Sequence, residues 1–461
     1  MKQLNKDILK LALPSILANI TVPIVGMVDI AVVGHLDVTA ATMIGGIAVG
    51  SMLFDLLYWN FGFLRVGTGG LAAQACGRGD RAECSRILAR ALGIALACAL
   101  LLILIQWIFV RAAFLVVDCT PQVRELASRY FHIRIWAAPA TLSLMALKGW
   151  FIGMQDSVSP MLTDFVVNGM NVLMSVVLSL GLDLGALRYE GMGFAGVAWG
   201  TVAAQYSGLM TAAFLLALKY RETLSTFLPS DFRTLFKGDQ TRRFFVMNAD
   251  LFVRSLCFIA IYIGFTVISA RYGDLLLAVS SILMKLLMIF SYFTDGFAYA
   301  GEALAGRYIG AGDKMMFRRT VRLTFLWSMS LAAVFMLIYR FAGVPMLKMM
   351  TSDVLVVEAS RRYLPWLLLM PPVGCAAFTW DGIYIGATAS RDMRNSMLWA
   401  VAAFVVVWSA GIIFLNMRTS GTEAYGEAAM HILMAAYFSH LLARTIYLSW
   451  NYRRLLRQQL Q

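Results

Sequence analysis

Long apolar segments recur along the whole chain and are separated by short polar segments. A helix needs about 20 apolar residues to cross the hydrocarbon core of a bilayer, and about twelve segments meet this requirement by hydropathy. The pattern therefore predicts about twelve transmembrane helices. The predicted spans are residues 9–35, 43–76, 88–110, 127–153, 161–182, 192–218, 245–270, 274–306, 321–342, 361–387, 396–416 and 426–449.

The composition agrees with this pattern. Of 461 residues, 60% are hydrophobic and only 14% are charged, whereas about 25% of the residues in soluble globular domains are charged. The mean hydropathy is +0.72. We therefore expect an all-α polytopic membrane protein in which no segment is left over for a soluble domain.

An internal repeat divides the chain. Residues 67–81, "GTGGLAAQACGRGDR", resemble residues 300–314, "AGEALAGRYIGAGDK", and the same offset of 233 positions matches residues 148–157 to residues 381–390. Glycine-rich helix ends resemble each other in many proteins, but one offset that serves two separate motifs favours a true repeat. With six helices per half, it predicts two lobes related by a pseudo-two-fold axis along the membrane normal. The expected divisions are 1–218, a basic cytoplasmic linker 219–244, and 245–461.

The charges predict the orientation. If the helices alternate from a cytoplasmic amino end, most Lys and Arg residues outside the spans fall in cytoplasmic segments, as the positive-inside rule requires. Both termini are then cytoplasmic, and we expect the plasma membrane, the inner membrane of a bacterium. The net charge of +13 follows from this topology and from anionic headgroups, so no nucleic-acid partner is needed.

Motifs that would indicate an enzyme are missing from the sequence. The six cysteines and four histidines are dispersed, with no CxxC pair, HExxH, GxSxG or Walker-type loop. We therefore expect no enzymatic activity, no metal and no cofactor, and nothing points to ATP as the energy source.

One carboxylate interrupts the first apolar span. Asp29 stands in "ITVPIVGMVDIAVVGHL", residues 20–36. An unpaired charge inside a membrane costs several kcal/mol, so such a residue either has a function or reaches the interface at a helix end. Pro23 and Gly26 make bending of this helix easy. One hypothesis is that protonation of Asp29 changes the bend or packing of the helix and lowers affinity for a cationic substrate.

Five motifs in both halves resemble the multidrug and toxic compound extrusion (MATE) transporters, specifically their DinF-like branch. The resemblance implies an antiporter that exports amphipathic, often cationic organic compounds in exchange for protons or sodium ions. The motifs, in chain order, are "LPSILANITVPIVGMVDIAVVGHL", "FLRVGTGGLAAQACGRGD", "NADLFVRSLCF", "DGFAYAGEALAGRYIGAGD" and "DGIYIGATASRDMRNSM".

The resemblance assigns several N-lobe residues. It puts the first-helix proline at Pro14 and the functional carboxylate at Asp29, and it matches the sixth-helix threonine to Thr201. In the fifth helix, where the family often has an Asn followed four residues later by an Asp, this chain has Asn171 and then Ser175. The second carboxylate of better-known relatives is therefore absent.

Depth supports a shared site for these residues. With a rise of 1.5 Å per residue, Asp29, Ser175, Thr201 and Asn171 lie about 10–18 Å below the outer ends of their helices. They can therefore form one layer that binds the coupling proton or cation. Asp55, about 20 Å from the outside, is the best in-lobe substitute for the missing acid.

The C-terminal half holds a second charged layer. Arg254, Asp295 and Asp381 lie about 10–15 Å from the cytoplasmic ends of their helices, and Glu302 lies slightly lower. Acids and an arginine at one depth usually pair. The set is interpreted either as a structural ion-pair network or as a cation or substrate site.

Two more basic residues fall inside predicted spans. Lys285, about 16 Å from the outer surface, either faces Asp29 across the cleft as a competing counter-ion or points its amine into a water-filled cavity. Arg65 resembles an arginine of the DinF-like pattern, and its spacing from Asp55 is near three turns, so we expect these two residues to pair.

Three functions remain open at this point. The favoured one is a monomeric drug and cation antiporter in contact with membrane lipids, coupled to protons in preference to sodium ions. A lipid or lipid-linked oligosaccharide flippase of the same superfamily would be expected to carry a markedly basic cavity, whereas acids are at least as numerous here within the spans. A membrane-embedded enzyme should show catalytic motifs, which are missing.

Overall fold

The computed structural model describes residues 2–34, 40–115, 117, 119–183, 188–227, 235, 237–351, 353–418 and 423–459. Within the described helices and strands, only the backbone is described for residues 22–28, 30, 31, 33, 34, 40, 41, 183, 188, 240, 418, 423 and 424.

Helices form almost all of the described first half, at the positions that the apolar segments predict. Two predicted spans are each built from two helices joined by a single 3-10 turn, at Asn60–Gly62 and at Ile135–Ala137. The helices are α1 (Lys2–Gly34), α2 (Ala40–Trp59), α3 (Phe63–Gly77), α4 (Arg81–Ala113), α5 (Pro121–Arg134), α6 (Ala138–Gly153), α7 (Val158–Leu180), α8 (Phe194–Lys219) and the short α9 (Arg221–Leu224).

The described second half is also helical. Prolines lie inside two of its helices, and each removes one backbone donor from the helical ladder: Pro345 in one, and Pro371 with Pro372 in the other. The helices are α10 (Asp239–Ala270), α11 (Asp274–Gly310), α12 (Lys314–Met350), α13 (Val354–Arg361), α14 (Leu364–Gly386), α15 (Ser390–Arg418) and α16 (Glu423–Gln459).

Ten helical stretches of the described chain are long and apolar enough to cross a membrane. The other two predicted spans, 9–35 and 361–387, correspond to α1 and α14. The predicted all-α membrane fold is confirmed. One small feature was not predicted: β1 (Leu182–Asp183) and β2 (Arg188–Tyr189) form an antiparallel pair with Leu182 opposite Tyr189.

The chain forms two compact units. The N unit is Leu17–Phe244, and the C unit is Met1–Ile16 together with Phe245–Gln461. The expected lobes differ from these units at the amino end, because the beginning of α1 groups with the C unit. The cause is close packing within that unit: a side chain on Gly296 of α11 would come within 2.8 Å of the Ala12 carbonyl oxygen.

The internal repeat is reproduced in the helix packing of each unit. In the N unit, a Cβ atom on Gly149 would collide with the backbone of Arg65, so α6 and α3 pack backbone against backbone. In the C unit, 233 positions later, a Cβ atom on Gly382 would collide in the same way with the backbone of Ala298. Glycine is therefore required at both positions, which explains why these motifs carry the repeat.

The turns repeat as well. Gly79 and Gly312 both have a φ of +72°, a left-handed conformation that glycine adopts at no steric cost. The aspartates that follow them cap the next helices: Asp80 accepts a hydrogen bond of 2.9 Å from the Glu83 backbone N–H, and Asp313 accepts an equivalent bond. The predicted repeat therefore extends to the conformation of these turns and to the hydrogen bonds that cap the next helices.

The described part of the linker 219–244 packs on α4. Glu222 forms an ion pair of 2.5 Å with Arg81. The carbonyl oxygen of the buried Leu235 accepts a hydrogen bond of 2.9 Å from Nε of Arg90. The described part of this segment therefore packs as part of the N unit.

Candidate functional site

Asp29 lies in the N unit with its side chain largely removed from solvent, at 8% exposure. The hydroxyl of Ser175, which is fully buried in α7, donates a hydrogen bond of 3.1 Å to its Oδ1 atom. The structure thus brings together the carboxylate and the serine that stands where relatives often have a second acid.

Asn171 and Thr201 form the neighbouring polar pair. The side-chain amide of Asn171 donates a hydrogen bond of 3.0 Å to the Thr201 hydroxyl. That hydroxyl in turn donates a hydrogen bond of 3.2 Å to the carbonyl oxygen of Val197. The Oδ1 atom of Asn171 is buried and has no hydrogen-bond partner among the described residues, so this pair offers one acceptor atom that the protein itself does not use.

Small residues on α8 allow α7 to approach and so position this site. They recur every four residues and therefore share one face of the helix. A Cβ atom on Gly200 would lie 2.6 Å from the backbone nitrogen of Ser175, too close for any side chain. The geometry of Ser175 thus depends on the absence of a side chain at Gly200. The small residues are Gly196, Gly200, Ala204 and Gly208.

Arg134, at the end of α5, was not predicted as part of the site. Its guanidinium lies 4.8 Å from the ring centroid of Phe54 and donates a hydrogen bond of 3.2 Å to the Tyr130 hydroxyl. It also interacts electrostatically with both Asp29 and Asp55. The guanidinium therefore acts on Asp29 through its charge and not through an ion pair within 4 Å.

Asp55 lies on α2 and is exposed. Both Asp55 and Asp29 lie within the electrostatic reach of Arg134, and the role of Asp55 as a substitute acid stays a prediction. Its pairing with Arg65 stays a prediction.

The structure leaves the remaining site predictions untested. Pro14 lies within the helical part of α1. Pro23 and Gly26 lie outside the residues whose side chains are described, so bending at these positions also stays a prediction. Lys285 is exposed on α11 of the C unit and makes no hydrogen bond or ion pair with the described residues. Its predicted relation to Asp29 is likewise untested.

In the C unit, the predicted ion pair is present and is larger than expected. Arg254 donates a hydrogen bond of 2.6 Å to Oδ2 of Asp381, and Arg444, which is almost fully buried in α16, donates to the same oxygen. The Nε atoms of both arginines are buried without an acceptor among the described residues. Two cations on one anion leave a net positive group, which favours a structural role over cation binding.

The other two C-lobe acids lie on α11. Glu302 is fully buried, and Asp295, nearly two turns earlier, is partly buried. A Cβ atom on Gly386 would collide with the backbone of Glu302, so α14 packs tightly at this level. Their membership in the Asp381 network stays a prediction.

Two further carboxylates were not singled out by the sequence. Asp250 on α10 is buried and accepts hydrogen bonds of 2.8 Å from the Ser390 hydroxyl and 2.6 Å from Arg394. Asp156, in the turn before α7, accepts bonds from Ser159 and Lys219. An aspartate followed three residues later by a serine at a helix start would have been a usable signal for Asp156, whereas Lys219 is 63 residues away in the chain.

Asp156 is held in its ionised form. Burial acts to raise the pKa of its carboxyl, but the hydrogen bonds from Ser159 and the charge and hydrogen bond of Lys219 outweigh it and lower the pKa below the usual range. The turn between α6 and α7 is thus fixed by a charged cap at the start of the helix that carries Asn171 and Ser175.

The described residues contain no group of three or more His, Cys, Asp or Glu side chains that could hold a metal ion. The site is therefore described by its acids, hydroxyls, amide and arginine alone.

Comparisons with known proteins agree on one family. The MatE family model matches the chain twice, at residues 14–177 and 251–413, once in each half. DNA damage-inducible protein F of Escherichia coli (strain K12) is 35% identical over 90% of both chains. Protein DETOXIFICATION 44, chloroplastic, of Arabidopsis thaliana is 24% identical over 90% of this chain and 81% of its own.

Solved structures share the fold. A MATE crystal structure in the bent conformation superposes with a TM-score of 0.80 at 14% identity, covering 99% of this chain and 98% of the other. The outward-facing conformation of a multidrug resistance MATE family transporter of the MOP superfamily gives a TM-score of 0.81 at 15% identity, covering 98% and 96%.

Proposed function

The chain belongs to the MatE family of multidrug and toxic compound efflux transporters, and we propose that it is a secondary active antiporter that exports amphipathic, often cationic organic compounds in exchange for protons. Transport proceeds by alternating access in the bacterial inner membrane. Sodium is the less favoured coupling ion, and both termini are cytoplasmic.

The observation that carries this proposal is the buried contact between Ser175 and Asp29. An ionised carboxylate in a membrane protein requires partners, because an unpaired one costs several kcal/mol. A single hydroxyl donor at 3.1 Å and the electrostatic attraction of Arg134 stabilise the charge in part. A carboxylate with such limited stabilisation is suited to gaining and losing a proton during transport.

The coupling step follows from charge. When Asp29 is ionised, it accepts the Ser175 hydrogen bond and attracts a cationic substrate. When a proton from the outside binds the carboxylate, the negative charge is lost and the affinity for the cation falls, so the substrate is released outward. The unused Oδ1 of Asn171 can accept a hydrogen bond from the substrate or from a water molecule that carries the proton.

The same helix connects this step to the rest of the protein. Asp29 lies in the part of α1 that belongs to the N unit, while the first turns of α1 belong to the C unit. A change in the charge of Asp29 therefore acts on a helix that is continuous between both units.

The test uses everted membrane vesicles with an acidic lumen. Ethidium accumulation and release of lumenal protons are followed together for the wild type, for Asp29→Asn and for a matched control, Asp274→Asn, in which an exposed acid at the start of α11 is changed. We expect Asp29→Asn to lose both signals and the control to keep them.

Three outcomes would contradict the proposal. Wild-type rates of ethidium accumulation and proton release for Asp29→Asn would show that this residue takes no part in the coupling step. A requirement for a sodium gradient would show that sodium, and not the proton, is the coupling ion. Movement of a fluorescent phospholipid in place of ethidium would favour a flippase.

A further inference from the structure

The N unit contains a cavity of about 540 Å³ at the end where α3 and α8 terminate. It is lined by the turn between α3 and α4 and by residues 218–223, which include the beginning of the linker. Volumes of roughly 300–1,000 Å³ are typical of small-molecule sites. The proposed transport mechanism does not use this cavity.

The lining is basic. Arg81, Lys219 and Arg221 line it together with one acid, Glu222. Glu222 pairs with Arg81, but both side chains are mostly exposed, at 81% and 61%, so this pair contributes little and dissociates easily. The cavity therefore carries a net positive charge.

Arg221 is a cation of the described lining that is available to a ligand. It is exposed and forms no ion pair or side-chain hydrogen bond with the described residues. Lys219, by contrast, already donates to Asp156 at 3.0 Å and to the Ser159 hydroxyl at 2.8 Å. A guanidinium without a partner in a concave site fits a phosphate group, which it binds through two parallel N–H donors.

An apolar stripe leads into the cavity. Met210, Phe214 and Leu218 lie four residues apart on α8 and are 73%, 65% and 67% exposed. They belong to a helix that is apolar enough to cross the membrane, so the stripe faces lipid chains. Leu218, the last of the three, also lines the cavity.

We propose that this cavity binds the phosphate headgroup of an anionic phospholipid, with an acyl chain lying along the stripe of Met210, Phe214 and Leu218. The basic lining provides the preference for an anionic headgroup. The continuity with the stripe provides the preference for a lipid over free phosphate. The proposal concerns lipid binding only and is independent of the transported substrate and of the coupling ion.

The experiment is native mass spectrometry of the full-length protein, purified in detergent and mixed with equal amounts of phosphatidylglycerol and phosphatidylcholine. We expect wild type to retain phosphatidylglycerol preferentially. Arg221→Gln should lower that retention roughly fivefold, since one basic residue near a membrane surface contributes about 1 kcal/mol. Lys237→Gln is the matched control, because Lys237 is an exposed linker lysine outside the cavity lining and its loss should leave retention unchanged.

A second variant changes retention in the opposite direction. Glu222→Gln removes the one acid among the described lining residues and frees Arg81, so it should raise phosphatidylglycerol retention while phosphatidylcholine retention stays constant. All three side chains are exposed, so folding should be preserved, and the melting temperature checks this.

The result that would overturn the proposal is equal retention of the two lipids by wild type, or indistinguishable retention by Arg221→Gln and Lys237→Gln. Competition with glycerol 3-phosphate and inorganic phosphate separates the two sources of phosphate. Displacement of the lipid by millimolar concentrations of either would assign the cavity to a free phosphate compound, whereas retention supports the lipid.

Discussion

The hydroxyl of Ser175 donates a hydrogen bond of 3.1 Å to a carboxylate oxygen of Asp29, and both side chains are buried. Serine has no carboxylate, so it cannot replace the acid that the family resemblance places at this position. Its hydroxyl can instead stabilise the negative charge of Asp29. The pair therefore contains one carboxylate, where the family resemblance leads us to expect two.

Removing the Ser175 hydroxyl should impair coupling. Hydrogen bonds to charged groups contribute about 1.5–3 kcal/mol, so we expect Ser175→Ala to slow proton-driven ethidium transport by roughly tenfold. Ser179→Ala is the matched control, because Ser179 is also buried on α7, one turn further along, and has no partner for its hydroxyl among the described residues. Equal rates in the two variants would show that the hydrogen bond to Asp29 is not used.

The packing of α7 against α8 should be sensitive to one methyl group. A Cβ atom on Gly200 would lie 2.6 Å from the Ser175 backbone nitrogen and 2.8 Å from its Cα atom, and backbone atoms cannot move aside cheaply. We expect Gly200→Ala to destabilise the protein by about 1–3 kcal/mol and to lower transport. Gly169→Ala on α7, where a Cβ atom meets nothing within 4 Å, should retain the wild-type melting temperature, and an equal loss in both variants would contradict this account.

Arg134 and Asp29 should be energetically coupled. Arg134 opposes the attraction of Asp29 for a cation, so Arg134→Gln should strengthen ethidium binding, whereas Asp29→Asn should weaken it. Because the two groups interact, the double variant should deviate from additivity by about 1 kcal/mol. Equilibrium ethidium binding to the four proteins measures this cycle, and strict additivity would show that Arg134 acts elsewhere.

The sequence was sufficient to predict the helices and to place at similar depths the residues of two hydrogen-bonded pairs, Ser175 with Asp29 and Asn171 with Thr201, because apolar length and depth along a helix follow directly from residue number. That these residues bind the coupling ion stays a prediction.

The sequence was not sufficient to predict Arg134 or Arg444 as partners, because the rotation of one helix against another depends on packing. A usable signal was nonetheless present, since each is an arginine inside a predicted span, 127–153 or 426–449, and intramembrane charges are rarely without a partner.

The placement of the first turns of α1 in the C unit could not be read from the sequence for a related reason. It depends on the close approach that Gly296 permits at Ala12, a contact between residues far apart in the chain. The repeat, by contrast, was predictable, because the glycines that make the close contacts are the residues that recur.

The group formed by Asp381, Arg254 and Arg444 should be structural. Asp381→Asn would leave the two arginines that share its carboxylate without that counter-charge, and breaking a buried ion pair in this way costs about 3–5 kcal/mol. Arg254→Gln should be milder, because Arg444 still neutralises Asp381. Expression and melting temperature should therefore fall most for Asp381→Asn, while normal expression with altered proton coupling would assign this group to transport instead.

The cap formed by Asp156 predicts a pH dependence of stability. Its pKa is lower in the folded protein than the usual value, which is about 3.9 in an unfolded chain, so its contribution is fully present above that value and is lost as pH falls through the folded pKa. Asp156→Asn should remove about 0.5–1 kcal/mol, because asparagine still caps the helix but loses the charge that pairs with Lys219 and favours the helix N-terminus. The difference in melting temperature between wild type and Asp156→Asn should stay constant from pH 8 to pH 5 and shrink below about pH 4. A difference for Asp156→Asn that grows on acidification would have the wrong sign for this mechanism.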